Sequence, residues 1–260
     1  MIPIIVINMP HRSDRLWRMK TAWPAFQIQD GIKHPMPHTG CGLAHIAAIR
    51  KGLENSETCL VLEDDCELLI SQDQFFKIVE EIVKESSKYD VVVFAPNFEM
   101  RAAGLTDNPT FQAKQVHELC FQAEPTRELT CTHCCLWTRS ALPILDEYER
   151  ILKLDVFLPI DRLLFSNNWN WKFDITFEKG SWTGPKPPKA SWNTPTVWIY
   201  PHYVVNQALS TLSDNLNEMN IDYGCNTQYK FNEYFDSFKS STLCPTSKTV
   251  RFGINLEYAY

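Results

Sequence analysis

The sequence predicts an α/β fold with a Rossmann-like, mostly parallel sheet flanked by helices. Near-continuous apolar runs recur in the first part of the chain, as in strands that are covered on both faces. Amphipathic helical patterns separate these runs. Such alternation indicates right-handed crossovers, and ligands of these sheets bind at the carboxyl ends of the strands.

The strong early strands are predicted at Ile2–Asn8, Thr58–Glu63 and Asp90–Ala95, with a weaker one near Phe26. Two helices between them have apolar faces formed by Leu43, Ile46, Ala47 and Leu53, and by Phe75, Val79, Ile82 and Val83. Further strands are predicted in "ELTCTHCCLWT", "WNWKFDITF" and "TVWIY". We expect a helix capped by Ser140, a short helix with Asp161 in its first turn, and a proline-rich loop over 182–201.

Composition excludes several classes of protein. The net charge of -6 argues against general binding to nucleic acid or to anionic membranes. No run approaches the roughly 20 apolar residues of a transmembrane helix, and no signal peptide is recognisable, so we expect a cytoplasmic protein. The nine cysteines are expected to be reduced thiols. Zinc at Cys131–Cys135 is not favoured, because no second ligand pair lies at zinc-ribbon spacing.

Three consecutive carboxylates, Glu63, Asp64 and Asp65, end the second strong strand. A solvated turn is one explanation. Adjacent carboxylates raise one another's pKa, however, and a hard divalent cation such as Mn²⁺ or Mg²⁺ relieves the repulsion. With neither a P-loop nor a glycine-rich fingerprint in the chain, a cation here favours transfer from a nucleotide-activated donor, and a nucleotide sugar fits best.

Six blocks in order resemble glycosyltransferase family 25: "INMPHRSDRLWRM", "GCGLAHIAAI", "LVLEDD", "CLWTRSALPIL", "LPIDRLL" and "YPHYVVNQALSTLSD". This family includes lipooligosaccharide and collagen hydroxylysine galactosyltransferases. The resemblance covers roughly 1–215 and implies a GT-A fold for that domain, with 216–260 as a C-terminal extension packed on it. It also implies a divalent metal, a UDP-linked donor, a glycan or glycoprotein acceptor, and inversion at the anomeric carbon.

The resemblance assigns the DXD-like acids to the donor site. Asp65 becomes the metal ligand and Glu63 faces the ribose or orders the loop, while Asp64 could play either part. Arg12 and Arg15 become candidates for base or phosphate contacts, oriented by Asp14. The alternative for this block is a surface helix start capped by Ser13.

Two histidines are further candidates. His45 matches a family Ser-His pair in which Ala44 replaces the serine here; it lies away from the predicted core stripe and either lines the donor pocket or joins its helix to a loop. His202 is a candidate late metal ligand, and the alternative is an ordinary partly buried histidine.

The acceptor side is assigned to three residues. Asp161 matches the family's Pro-x-Asp block and is the candidate general base, although an acid at a helix N-terminus also has a purely structural explanation. Trp182 and Trp192 could stack on sugar rings or simply anchor their loop.

Two other functions are compatible with the same fold. One is a non-catalytic relative that binds glycans or a partner enzyme, and the other is a metal-dependent nucleotidyltransferase or phosphohydrolase. The intact acid triplet argues against the first, and the ordered blocks of the second half argue against the second. A bacterial or virus-encoded protein suits the missing signal peptide.

Overall fold

The computed structural model describes residues 2–94, 97–98, 113–125, 129–130, 132–153, 160–166, 192–200 and 204–207. Four predictions therefore lie outside the described residues: the role of Trp182, the role of His202, the strand in "WNWKFDITF", and the extension over 216–260.

The described elements follow one another from β1 to β12, with five α-helices between them. The first half contains β1 (Ile4–Asn8), α1 (Ser13–Ala22), β2 (Gln27–Asp30), α2 (Pro37–Leu53), β3 (Thr58–Glu63), β4 (Cys66–Leu68), α3 (Gln72–Val83), β5 (Val91–Phe94) and β6 (Asn97–Phe98). The second half contains β7 (Ala113–His117), β8 (Cys120–Ala123), β9 (Leu129–Thr130), β10 (Cys134–Thr138), a 3₁₀ turn (Arg139–Ala141), α4 (Leu142–Leu152), α5 (Ile160–Phe165), β11 (Val197–Tyr200) and β12 (Val205–Gln207).

Eight of the described strands form one sheet in the order β2-β1-β3-β10-β5-β11-β8-β7. The pairs of β1 with β2, β1 with β3, and β5 with β11 are parallel. Strands β10 and β8 run antiparallel to their neighbours, and the other six strands share one direction. The predicted class, an α/β fold with a mostly parallel sheet flanked by helices, is confirmed.

The core lies around β3 and β5. Every residue of β5 and the first five residues of β3 are buried, as the continuous apolar runs predicted. Helix α3 packs Phe75, Ile78, Val79 and Ile82 inward, so its predicted face is largely confirmed. Its start is fixed by a capping box between Ser71 and Gln74.

Helix α2 differs from its prediction in two ways. It begins at Pro37 and so includes the "PHTGCG" segment, because proline is accommodated at the first helical position. Leu43 and Ala47 are only half-buried, whereas Ala44, His45, Ala48 and Ile49 are buried. The prediction that His45 faces away from the core is therefore wrong. Small residues allow α2 to pack closely against the sheet, so that a wide part of its surface, including His45, is buried.

Two predicted helix caps are also wrong. Ser13 is already inside α1, and Arg12 occupies the cap position without a side-chain cap hydrogen bond. Ser140 lies in the 3₁₀ turn before α4, where its hydroxyl donates to Asp90 Oδ1 at 2.5 Å. The actual cap positions of α1 and α4, Arg12 and Ala141, each lie one residue away from the predicted serine.

Among the described helices, none combines the length and the apolar character that crossing a membrane requires.

Candidate functional site at the carboxyl edge of the sheet

Parallel pairing brings the ends of β1 and β3 together. Ile7 lies opposite Glu63 in the register, so the next residues, Asn8 and Asp64, meet at the carboxyl edge of the sheet. The Asn8 amide donates to Asp64 Oδ2 at 2.7 Å, and Asn8 is buried. Sequence reasoning missed Asn8, although a polar residue that ends an apolar strand was a usable signal.

Helix α1 supplies the positive charge of this edge. A turn from Met9 to Arg12 leads into α1, whose first turns carry Arg15 back over the strand ends. Arg15 Nη1 donates to Asp64 Oδ1 at 2.6 Å and to Asp65 Oδ2 at 3.4 Å. Burial raises the pKa of Asp64, and the hydrogen bonds from Arg15 and Asn8 offset only part of that rise. Arg15 is thus paired with two of the three acids.

The first acid has different partners. Successive side chains of a strand point to opposite faces, so Glu63 turns away from Asp64 and towards α2. Glu63 Oε1 accepts from the Thr132 hydroxyl at 3.0 Å and lies 3.3 Å from His45 Nε2. Burial alone would raise the pKa of Glu63, but His45 and, more weakly, His133 and Thr132 outweigh it and lower that pKa to about 2. His45 therefore joins its helix to the end of β3.

His133 borders the same group. Its backbone carbonyl accepts from the Glu63 amide at 3.0 Å, and its ring is buried. Neither ring nitrogen has a hydrogen-bond partner among the described residues. Burial lowers the pKa of His133 to about 4, against the opposing effect of the Glu63 charge. A neutral imidazole thus stands beside an ionised carboxylate; the sequence had suggested His133 only as part of a disfavoured zinc cluster.

Asp161 lies on a helix that packs against α2. It lies in the first turn of α5, which packs against α2, and its Oδ1 accepts from the Arg162 amide at 2.8 Å. Burial raises the pKa of Cys41, and the charges of Glu63 and Asp161 raise it further. Burial also lowers the pKa of His38, and the charge of Asp161 opposes that change. Glu63 and Asp161 therefore both lie within electrostatic range of Cys41.

The Arg12–Asp14 pair forms an outer rim. Arg12 donates to both carboxylate oxygens of Asp14, at 3.1 and 3.0 Å. This hydrogen-bonded pair lowers the pKa of the exposed Asp14 to about 2. Asp14 is thus hydrogen-bonded to Arg12, whereas the Arg15 side chain is held by Asp64 rather than by Asp14. The predicted base or phosphate contacts of these arginines stay predictions.

Trp192 is located away from any open surface. Its side chain is buried, and its indole N–H donates to the Leu163 carbonyl at 3.1 Å. This geometry matches the alternative in which Trp192 anchors its loop, and leaves no exposed ring face for sugar stacking. The acceptor-binding prediction for Trp192 is therefore not supported by its environment.

Strand β12, which follows His202 in the sequence, lies close to the acids. Strand β12 pairs with β4, and Gln207 lies opposite Cys66, the residue after Asp65. The Cys66 carbonyl also accepts from the Trp23 indole at 3.0 Å, which ties β4 to the end of α1. The chain on the C-terminal side of His202 is thus fixed next to the acid cluster, and the metal-binding role of His202 stays a prediction.

The donor atoms at the carboxyl edge suit a hard divalent cation. Within the described part of the chain, no three Asp, Glu, His or Cys side chains form a ready-made metal group. Mg²⁺-type sites commonly use one or two carboxylates and complete the shell with substrate phosphates and water. Asn8 and Arg15 engage both oxygens of Asp64, and Arg15 also lies 3.4 Å from Asp65. The assignment of Asp65 as the metal ligand stays a prediction.

No protein-family model matches the chain, and no curated protein is significantly similar to it. A protein from STIV is similar at 15% identity over 76% of this chain and 81% of that one, with a TM-score of 0.37. A glycosyltransferase involved in the glycosylation of the major capsid of PBCV-1 is similar at 12% identity, 60% and 68% coverage, and a TM-score of 0.35.

A mannose-1-phosphate geranyltransferase from Thermus thermophilus is similar at 10% identity over 75% of this chain and 58% of that chain, with a TM-score of 0.37. Glycosyltransferase-like structures are thus among the neighbours, at low identity. Likenesses this distant assign neither a family nor an activity.

Proposed function

We propose that this protein is an inverting, divalent-metal-dependent glycosyltransferase of the family 25 type, which moves a sugar from a UDP-linked donor to a hydroxyl of a glycan or glycoprotein. The observation that carries the proposal is the buried group of Asn8, Arg15, Asp64 and Asp65 at the carboxyl ends of β1 and β3. Open α/β sheets bind their ligands at this edge, and buried carboxylates there are suited to hold a cation.

Each part of the site has a proposed task. Asp65, with Mn²⁺ or Mg²⁺, binds the donor diphosphate, and the cation supplies positive charge against the charge of the leaving group. Arg12 contacts the nucleotide from the rim. Glu63, fixed by His45 and Thr132, holds the end of β3 in place or faces the ribose.

The chemical step requires one base. Asp161 takes the proton of the acceptor hydroxyl as that oxygen bonds to the anomeric carbon, while the bond from this carbon to the diphosphate oxygen breaks. A single displacement inverts the anomeric configuration. Asp161 lies in the first turn of α5, which packs against α2, the helix whose His45 contacts Glu63.

The test compares wild-type protein with Asp65→Ala, using Asp73→Ala, an exposed acid of α3, as the matched control. A panel of UDP-sugars is incubated with glycan acceptors in Mn²⁺, in EDTA, and in EDTA with Mn²⁺ restored. We expect metal-dependent transfer or slow donor hydrolysis by the wild type and the control, and neither by Asp65→Ala. Undiminished Mn²⁺-dependent activity of Asp65→Ala would show that Asp65 is not the metal ligand.

The same incubations separate the rival functions. Pyrophosphate release from a nucleoside triphosphate and a sugar phosphate would indicate a nucleotidyltransferase. Glycan binding without turnover of any donor would indicate a non-catalytic relative.

A further inference from the structure

Strand β2 ends the described sheet on one side. Its neighbour is β1, and no other strand in the part of the chain that the structure describes pairs with it. It spans only Gln27–Asp30, and Asp30 is its one charged residue. Edge strands present unpaired backbone groups that can pair with other chains, and proteins protect such edges with short strands and with charged side chains, especially lysine.

The ladder with β1 fixes which backbone groups of β2 point outward. The Gly31 amide donates to the Asn8 carbonyl at 2.9 Å, so Gly31 faces β1. In a parallel ladder the N–H and C=O of one residue point to the same side, and successive residues alternate between the two sides. Alternate residues of β2 therefore face β1 like Gly31, whereas Ile28 and Asp30 turn their backbone groups to the open edge.

Side chains cover both of these outward carbonyls. Lys51 Nζ, from the last turn of α2, donates to the Ile28 carbonyl at 2.7 Å. The Gln29 side-chain amide donates to the Asp30 carbonyl at 3.1 Å. A hydrogen bond from a charged donor is stronger than one from a neutral amide. Lys51 is therefore the stronger of the two covers, and it places a positive charge beside a strand that carries little charge of its own.

A second copy of this chain is the partner that this edge fits. Two β2 strands related by a twofold axis run antiparallel, so the same residues of each copy meet at a self-complementary contact. Such a contact would extend the eight-stranded sheet across the axis. It needs the outward carbonyl of Ile28 from each copy, and so it displaces Lys51 in both.

We propose that Lys51 keeps this protein from pairing with a second copy of itself through β2. The inference concerns assembly and does not depend on the proposed function. Each dimer would break the bond between Lys51 and the Ile28 carbonyl twice, once in each copy. Because charge-assisted hydrogen bonds oppose pairing in this way, removal of the ammonium group should strengthen dimer formation by about tenfold or more.

Analytical ultracentrifugation of the full chain over a range of concentrations measures this effect. Lys51→Ala removes the cover, and Lys51→Arg keeps a charged donor. The side chain of Lys51 is exposed, so neither change disturbs the core. Lys84→Ala is the matched control, because Lys84 is also exposed but bonds to Glu81 at the end of α3.

We expect Lys51→Ala to form dimers at concentrations at least about tenfold below those at which the wild type does so. Lys51→Arg and Lys84→Ala should behave as the wild type. Amide hydrogen exchange locates the contact: the outward amides of Ile28 and Asp30 should become protected when Lys51→Ala dimerises, because they then donate to the second copy.

A second substitution tests the same location. Ile28→Pro removes an outward N–H and spares the bonds between β2 and β1, which belong to the alternate residues. Added to Lys51→Ala, it should return the protein to the mass of the wild type. Circular dichroism melting establishes that each variant is folded.

Three results would overturn the inference. The first is an unchanged tendency of Lys51→Ala to dimerise. The second is a Lys51→Ala dimer in which the amides of Ile28 and Asp30 exchange as fast as in the wild type, since another surface would then join the copies. The third is a wild-type dimer that already protects these two amides, because Lys51 would then not keep the edge free.

Discussion

At the scale of single residues, three adjacent acids are tolerated because each carboxylate has its own surroundings. Glu63 points to His45 and Thr132, Asp64 is enclosed by Asn8 and Arg15, and Asp65 shares Arg15. The pleat of the strand end separates the first acid from the second. The charges are thereby spread over both faces of the sheet.

His133 makes stability depend on pH. Its pKa of about 4 in the folded protein lies below the ordinary value of 6.5, so the unfolded chain binds the extra proton first as the pH falls. Stability should fall between pH 6.5 and pH 4, by up to about 3 kcal/mol. Urea unfolding of wild type and His133→Asn at several pH values in this window checks the prediction. Parallel pH profiles for the two proteins would contradict it.

Asp161→Asn tests the proposed base. The amide keeps the size of the side chain but accepts no proton, so transfer should fall by about 10² to 10⁴. Affinity for the UDP-sugar should hardly change, because Asp161 is assigned to the acceptor. NMR of the product should show the inverted anomeric configuration. Loss of donor and Mn²⁺ binding in Asp161→Asn would instead place this residue among the donor ligands, and a retained configuration would refute the single displacement.

The sequence could predict where the acids lie but not what holds them. The end of an apolar run located Glu63, Asp64 and Asp65 at the carboxyl edge of the sheet, because strand ends follow from local patterns. The pairing of Arg15 with Asp64 joins residues 49 positions apart. Such pairing depends on the path of α1 over β1 and β3, which no local pattern specifies.

At the scale of elements, α2 links the two sides of the candidate site. His38, Cys41 and His45 recur at helical spacing on this helix. His45 contacts Glu63, and the charge of Asp161 affects the pKa of both His38 and Cys41. Glycines let this helix approach its neighbours closely. A Cβ on Gly40 would lie 2.2 Å from the Ile32 carbonyl oxygen, and one on Gly42 would lie 2.8 Å from Leu152 Cδ1.

The two glycines should respond differently to alanine. Gly40→Ala forces a Cβ against backbone, which should cost about 1–3 kcal/mol of stability, as overpacking does. Gly42→Ala meets only the end of a flexible leucine side chain, and alanine gains about 1 kcal/mol of helix propensity over glycine, so this variant should be nearly neutral. Urea unfolding of both variants compares them directly. Equal losses of unfolding free energy would show that the backbone at Ile32 moves aside as easily as the Leu152 side chain.

The buried face of a helix was predicted correctly where apolar residues recur with a clear helical period. It was predicted incorrectly where small residues determine how closely the helix packs. Helix α3 has a clear amphipathic stripe and was predicted with its buried face. In α2, Gly42, Ala44 and Ala48 are too small to mark a face by hydrophobicity, yet all three are buried. Their burial follows from close contact with neighbouring elements.

At the scale of the whole molecule, one sheet gathers strands from distant parts of the chain. Strand β11 lies between β5 and β8, so the late residues Val197–Tyr200 connect β7 and β8 to the rest of the sheet. The sequence predicted β11 as a strand and the shared direction of most strands. It did not predict that β10 lies between β3 and β5. A buried strand that pairs antiparallel is as apolar as one that pairs parallel, so its composition does not reveal its direction or its neighbours.

Shortened chains test the domain boundary predicted near residue 215. A chain that ends at residue 215 keeps β11 and β12 and should unfold cooperatively in urea. A chain that ends at residue 190 lacks β11, the strand that joins β8 and β7 to β5 in the described sheet. Its unfolding should therefore no longer be cooperative. Circular dichroism and tryptophan fluorescence should give coincident transitions for the longer chain. A cooperative transition of the shorter chain would show that the boundary lies earlier.

The position of β10 also has a consequence during synthesis on the ribosome. Strands β3 and β5 emerge well before Cys134–Thr138, the segment that pairs with both of them. Until then each strand has an open, strongly apolar edge, which is the kind of edge that pairs with other chains and aggregates. The long sequence separation of these contacts also slows folding. A chaperone that covers such edges would be needed most while the ribosome translates the stretch between β5 and β10.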